Sequence, residues 1–308
     1  MSPDAANPAY LLTLLTGGLV NGSLYGLVGL AVVVLYRATG QVNLAQGEMA
    51  VTGALTFHTV RHAGLALWAA LPIALAASFA LGCAVERAVI RPLERRGIFP
   101  VLLATLALFL GLNAANAIIW GTQPFPGVGL FPTGLGDRIE LLSGPPPYRL
   151  AYSAIGTLAV VAAVGGTVWV ALHRTRLGLG YRAVAAHREA AALMGIPVRR
   201  MFTLGWGTAA AVGTLAAVLV SQTTGTLDYN LMGSVLVMGL AAATLGGFDS
   251  AAGAVLGGLL LGTLEALVPG VFTAMQGDLS LLLALAVILP VLLVRPQGLF
   301  GTRKVERV

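Results

Sequence analysis

Long apolar runs recur along the whole chain, separated by short polar stretches. Read one helix to a run, they place spans at 11–36, 46–62, 65–85, 101–120, 150–172, 201–222, 233–248, 253–270 and 279–294. Each approaches the ~20 residues a helix needs to cross the hydrocarbon layer. The runs 101–120 and 279–294 hold no charged residue at all. Backbone polar groups in lipid must bond within their own segment, so such runs are helices, and the short alternating segments of a β-barrel are missing. The expected fold is an all-α integral membrane protein. It is a polytopic bundle of about 8–9 transmembrane helices with some broken or re-entrant segments and a short cytoplasmic helix, forming one transmembrane domain over 1–308.

Two breaks interrupt the apolar pattern. One reads Gly40-Gln41-Val42-Asn43-Leu44-Ala45-Gln46-Gly47-Glu48, the other Gly246-Gly247-Phe248-Asp249-Ser250. Each sets an acid beside glycine, at comparable places in the N- and C-terminal parts. Broken segments in corresponding positions point to a transport path. Whether 233–270 holds two full spans or one span and a re-entrant segment stays open. Glycines also line the spans: Gly17, Gly18, Gly22, Gly26 and Gly29 near the start, Gly253, Gly257, Gly258 and Gly262 near the end. Glycines four apart let helix backbones approach closely. The proline-rich stretch 121–149 is expected to be an irregular external loop, with a short surface helix at most. Trp120, Tyr148 and Tyr152 flank it, as residues at the headgroup level do.

Composition sharpens the class. Hydrophobic residues make up 57% of the chain and charged residues only 10%, against about 25% in a soluble domain. No water-soluble surface can be built from so little polar material. The net charge of +6 does not indicate nucleic acid, because 14 of the 18 basic residues fall in 86–96, 173–200 and 295–308. Those are loops between apolar runs, and their bias reads as cytoplasmic placement. The C-terminus is then cytoplasmic and the N-terminus external. The first run lacks a basic leader and is too long for a signal core, so it is expected to stay in the mature protein.

Catalytic sets are missing. The sole cysteine, Cys83, allows no internal disulfide and reads as a small buried hydrophobe. Lys304 is the only lysine, so no phosphate-binding loop of the GxxxxGK[ST] kind exists. His58 and His62 are four apart without an acidic or cysteine partner, which favours a membrane-edge pair over a metal site. The chain reads as a non-enzyme.

Polar residues inside the spans mark what remains. Glu48 and Glu265 sit deepest in apolar sequence, where an ionisable group is costly. Glu48 stands where a helix starts and suits capping there more than substrate contact. Glu265 suits a pin to a neighbouring helix. Asn21 and Tyr25 share a face with Ser23 nearby. They line a path or bond between helices, and Asn113 and Asn116 carry the same alternatives.

In the second basic stretch, Arg182 to Met194 are good helix formers, and Gly195 and Pro197 end the helix. This predicts one short amphipathic helix with a small-residue face of Ala185, Ala186, Ala190 and Ala191. Two readings stand level: docking onto another protein, or lying on anionic headgroups.

Glu189-Ala190-Ala191 followed by Gly195 resembles the EAA loop of ABC importer permeases. The chain more closely resembles the permease family for branched-chain amino acids, the LivH type. The matching pieces are Asn21-Gly22-Ser23-Leu24-Tyr25, Val42-Asn43-Leu44-Ala45-Gln46-Gly47-Glu48, Arg91-Pro92-Leu93, Arg188-Glu189-Ala190-Ala191-Ala192-Leu193-Met194-Gly195-Ile196, Leu245-Gly246-Gly247 and Arg295-Pro296-Gln297-Gly298-Leu299-Phe300-Gly301. Two departures stand out: Gln46 where relatives often carry histidine, and no proline in 248–252.

The resemblance implies a transport subunit in a bacterial inner membrane. Its partners would be a second related permease, two cytoplasmic ABC ATPases, a periplasmic or extracellular substrate-binding protein and membrane lipid. ATP and Mg would bind the ATPases, and this chain would carry no cofactor. Arg188, Glu189, Ala190, Ala191, Met194 and Gly195 would couple to the ATPase through the loop 173–200. Asn21, Ser23, Tyr25, Asn43, Gln46, Glu48, Gly246 and Gly247 would lie along the translocation path. The cargo expected is leucine, isoleucine or valine, with urea, an amide or another small polar solute as the alternative. A stand-alone carrier or channel is the rival class, and it would need ion-coupling groups of its own.

Overall fold

The computed structural model describes residues 7–134, 136–143, 147–271, 280–295 and 297–301. Every apolar run is helical. The long helices are α1 (Pro8–Thr39), α2 (Gln46–His62), α3 (Leu67–Val85), α5 (Ile98–Trp120), α6 (Tyr152–Arg174), α9 (Val198–Thr224), α10 (Met232–Gly246), α11 (Ala251–Val271) and α12 (Ser280–Val294). Short helices α4 (Arg91–Glu94), α7 (Arg176–Ala186) and α8 (Arg188–Leu193) lie in the basic stretches. Among the described residues, six helices are long and apolar enough to cross a membrane. The protein is a multi-pass, all-helical membrane protein.

Local chemistry sets the ends. At the start of α1 the Asn7 side chain accepts the Ala9 amide at 3.0 Å, and Pro8 takes the first helical position, where a missing N–H costs nothing. The helix stops at Gly40, whose φ of +69° turns the chain out of line.

The basic stretch 86–96 is not the loop its charge suggested. α3 runs on through a single π-helical turn, Glu86–Ile90, into α4. Pro92, which lacks an amide hydrogen, follows that turn. Among its described residues the stretch 121–149 forms no helix, and two short strand pairs stand in place of the wholly irregular loop expected. Strand β1 (Phe125–Pro126) pairs with β4 (Thr226–Leu227), and β2 (Arg138–Leu142) pairs with β3 (Tyr148–Ala151), both antiparallel.

The chain divides into two compact units. One holds α1 up to Gly29, residues 130–165, and the chain from Met238 onward. Here α1 lies directly on α11. A Cβ on Gly22 would come 2.7 Å from the Gly258 carbonyl oxygen, and one on Gly18 would come 2.8 Å from that of Gly262. Lipid offers no hydrophobic drive between helices, so backbone contact of this kind supplies the cohesion. Met238, Leu245, Leu261 and Ala284 fill the space between α10, α11 and α12.

The other unit holds residues 30–129 and 166–237. Its centre is α2, α3 and α9. Gly53 of α2 packs on Thr214 and Ser78, and these two hydroxyls hydrogen-bond at 2.7 Å. Gly82 of α3 lies on the Trp206 backbone. Leu35, Met49, Val85, Val101 and Trp206 complete this core. By contrast α5 shows its apolar residues outward, with Ile98 78% and Ile118 84% exposed. A soluble protein would not display such a face, and a lipid-facing helix does.

Candidate functional site

The first break lies deep in the second unit. The Asn43 side chain accepts the Ala45 amide at 2.9 Å and so shapes the turn into α2. Its amide also reaches Gln46 Oε1 at 3.4 Å. Gln46 Nε2 in turn donates to the Ala209 carbonyl of α9 at 2.8 Å. Ala209 stands about 16 Å along α9 from Val198, on a helix about 40 Å long. α2 has 17 residues, about 25 Å, which falls short of the ~30 Å hydrocarbon thickness. α2 is therefore shorter than the longest helices and begins about 16 Å along α9. The polar segment before it re-enters the bundle, as expected of a broken segment.

Glu48 is in the first turn of α2 and is 2% exposed. Its position agrees with a charge at a helix start. More is built around it. Asn113 Nδ2 of α5 donates to Glu48 Oε1 at 3.3 Å and to Asn230 Oδ1 at 3.0 Å. Thr52 donates to Asn116 Oδ1 at 3.0 Å. The Asn116 side-chain amide, like that of Asn113, hydrogen-bonds the buried Glu48 carboxylate.

The remaining path residues fall in the first unit. The Ser23 hydroxyl is spent within its own helix, donating to the Val20 carbonyl at 2.7 Å. Asn21 is half-buried. Tyr25 directs its hydroxyl at Glu265 of α11, which makes Glu265 the inter-helix pin expected of it. Gly246 and Gly247 form a seam with the C-terminal segment. Leu299 N–H donates to the Leu245 carbonyl at 2.8 Å and Phe300 N–H to that of Gly246 at 3.1 Å. Gly247 has φ +100°, and a Cβ there would meet Gly301 at 2.8 Å. These two glycines are required by close backbone packing.

The stretch Arg182 to Met194 is not one helix. His187 adopts extended angles (φ −158°, ψ 108°), and its Nδ1 accepts the Ala190 amide at 3.2 Å. The imidazole thus caps α8 and separates it from α7. Nor do the four alanines form one docking face: Ala191 is buried, and Ala185, Ala186 and Ala190 are exposed. Burial pushes the Tyr181 phenol of α7 up to about 12, against a smaller opposing effect of its hydrogen bond with Thr208.

Arg188 faces inward from the head of α8. It donates to Glu94 Oε1 at 2.8 Å and to the Thr39 carbonyl at the end of α1. Its guanidinium also lies 4.5 Å from the centre of the Phe202 ring on α9. Glu189 is exposed, and Leu193 and Met194 stand 88% and 83% exposed. Beneath α8 a cleft of about 530 Å³ is lined by Glu86, Arg91, Arg188, Glu189 and Phe202, among others.

Sequence reasoning missed Glu86. It is 2% exposed and takes a two-pronged bond from Arg91, at 3.0 and 2.7 Å. Thr203 of α9 donates to it at 2.8 Å. The five-residue spacing of Glu86 and Arg91 meets only across a π turn, so a helical 3–4 pattern does not reveal it.

A bundle of apolar helices, with a polar turn at the start of α2 and a short helix tipped by exposed apolar residues in a basic stretch, is that of a multi-pass membrane protein. Comparison with known proteins gives the family. The chain belongs to the family described as "Branched-chain amino acid transport system / permease component", which it matches over residues 14–292. It is 28% identical over 308 residues to the high-affinity branched-chain amino acid transport system permease protein BraD of Pseudomonas aeruginosa, covering 97% of this chain and 98% of that one. It is 26% identical over 310 residues to the permease protein LivH of Salmonella typhimurium, with the same coverage. The probable LivH of Methanocaldococcus jannaschii is 24% identical over 319 residues, covering 96% of this chain and 95% of that one. No solved structure matches the chain.

Proposed function

We propose that this chain is the membrane subunit of an ATP-driven importer of branched-chain amino acids, sited in a bacterial inner membrane. Its cytoplasmic side carries the three basic stretches, and its N-terminus and 121–149 face outward. A second related permease, two ABC ATPases and a substrate-binding protein complete the assembly. ATP and Mg sit on the ATPases, and no cofactor belongs to this chain.

One observation carries the reading. α8 holds to its own protein through Arg188 and offers Leu193 and Met194, beside Glu189, to a partner. Covering those two apolar side chains is worth about 1.5–3 kcal/mol each, which suits a groove in an ATPase better than a charged lipid surface. Ala190 is open on the same short helix, and Gly195, at φ +78°, turns the chain away after it. Arg188 and Ala191 serve the inner side of the joint. Closure of the ATPase pair would displace α8 and pull on α4 and the end of α1 through Arg188, shifting the balance between inward and outward access. The full cover of the branched-chain amino acid permeases supports the cargo.

Affinity pull-down of the chain from its native membrane tests this, with partners identified by mass spectrometry. Two ATPases and a second permease are expected with the wild type, and the ATPases are expected to be lost with Glu189→Arg. Recovery of the chain alone would move a stand-alone carrier to first place.

A further inference from the structure

We propose that the groove between α5 and the segment of the π turn and α4 holds one anionic phospholipid of the surrounding bilayer. One acyl chain lies in the groove, and the phosphate sits on Arg95 and Arg96. The groove has a volume of about 530 Å³, and no polar side chain lines it. Val89 and Leu93 form one wall, and Pro100, Leu103, Leu108 and Leu112 stand on the other. The α5 wall follows a single helix face, in steps of three and four residues. From Pro100 to Leu112 that face rises about 18 Å. One leaflet of the hydrocarbon layer is about 15 Å deep, half of the ~30 Å total. The groove therefore runs from the polar boundary to the neighbourhood of the bilayer midplane.

The arginines stand at the polar end. Leu93 and Pro100 flank the turn that carries Arg95 and Arg96, and both arginines are exposed. The Arg96 amide donates to the Leu93 carbonyl at 2.8 Å, which fixes the turn to the groove wall. Among the described residues, the ion pairs join Arg91 to Glu86, Arg149 to Glu140 and Arg188 to Glu94, and neither arginine of the turn takes part in one. Glu94, the acid beside them, is taken by Arg188. α5 begins after Gly97, which has no side chain to cap it, so its first amides add a partial positive charge at the same end. Two full positive charges at the head of an apolar trench complement a phosphodiester that carries a hydrocarbon chain. With the basic stretches cytoplasmic, as proposed above, this lipid belongs to the inner leaflet.

Width separates a lipid from a protein partner. Spread over its length, the volume gives a trench about 6 Å across. A helix with its side chains is roughly 10–12 Å across, whereas a single methylene chain fits. A helix of another subunit would also have to bring acids to Arg95 and Arg96. The inner end of the trench is open, since a Cβ on its Gly111 would meet nothing within 4 Å. Arg95 also lines the cleft beneath α8. The bound phosphate would thus steady the turn whose Glu94 holds Arg188.

Native mass spectrometry of the chain, purified in detergent with whatever subunits accompany it, tests the site. The probes are dioleoyl phosphatidylglycerol and dioleoyl phosphatidylcholine, which share their chains and differ in net charge. The wild type should retain phosphatidylglycerol about thirtyfold more strongly, the worth of two arginines beside an anionic headgroup. Arg95→Gln with Arg96→Gln should bind the two lipids alike. Gly111→Trp should fill the inner end of the trench and lose phosphatidylglycerol although both arginines remain. That variant tells a seated chain from a headgroup drawn to surface charge alone. Should Gly111→Trp not be recovered, Ala107→Leu narrows the same trench and is judged by the same readout.

Equal retention of both lipids by the wild type overturns the assignment. So does a preference that survives the arginine pair or the groove substitution. Phosphatidylglycerol retained only after another subunit has been stripped away would also overturn it, and would give the groove to that subunit.

Discussion

The guanidinium of Arg188 donates to the Glu94 carboxylate at 2.8 Å, so the head of α8 is tied to α4 across almost a hundred residues of chain. The same side chain holds the Thr39 carbonyl and covers the Phe202 ring. One residue thus links the ends of three elements to the helix expected to meet the ATPase.

Arg188→Ala should uncouple rather than unfold. The pair is partly exposed and worth about 0.2–1 kcal/mol, so thermal unfolding should move little. Leucine uptake per ATP hydrolysed should fall, and the exchange Arg188→Glu with Glu94→Arg should recover part of it. An Arg188→Ala complex with normal coupling would show that the link carries no motion.

Glu86 and Arg91 behave differently because Glu86 is buried. Arg91→Ala strands that carboxylate in an apolar core and should cost about 3–5 kcal/mol. The double variant Glu86→Leu with Arg91→Met removes both charges and should recover most of the loss. Thermal unfolding in detergent measures both.

The α1–α11 contact is testable with glycine pairs. A Cβ at Gly258 would fall on the Gly26 backbone, and one at Gly17 meets nothing within 4 Å. Gly258→Ala should destabilise by about 1–3 kcal/mol. Gly17→Ala should be neutral or stabilise by up to about 1 kcal/mol. Equal effects would contradict the close approach.

Much of this architecture can be read from residue order. All nine apolar runs are helices, because length and apolarity suffice where the backbone has no water to bond. The polar turn at Asn43 and Gln46 also stands where it was expected. What escapes the sequence depends on distant partners. The helix through 86–94 rests on Thr203, which closes the Glu86 network from more than a hundred residues away. The split at His187 rests on a cap by a side chain with no strong preference for that place. Asn230, which meets Asn113, carries no local signal at all. The seam at Gly246–Gly247 is likewise hidden in sequence, since only the fold brings Leu299 and Phe300 against it.

Tyr181 gives a pH test outside the spans. Its phenol titrates at about 12 when folded and near 10 when unfolded. The unfolded form thus loses its proton first, and the stability this group contributes is whole below pH 10 and declines as the pH rises towards 12. Tyr181→Phe should flatten that decline, followed as unfolding temperature against alkaline pH. An unchanged slope would mean that the phenol is not held in its buried place.

The central claim is that this chain forms the path of an ATP-driven importer for branched-chain amino acids. Its most direct test is leucine accumulation in proteoliposomes that hold the permease pair, the ATPases and the binding protein. Uptake that needs ATP and the binding protein, and that isoleucine and valine compete but urea does not, is the predicted result. Leucine movement without ATP, or ATP-dependent uptake of urea or an amide in its place, would contradict it.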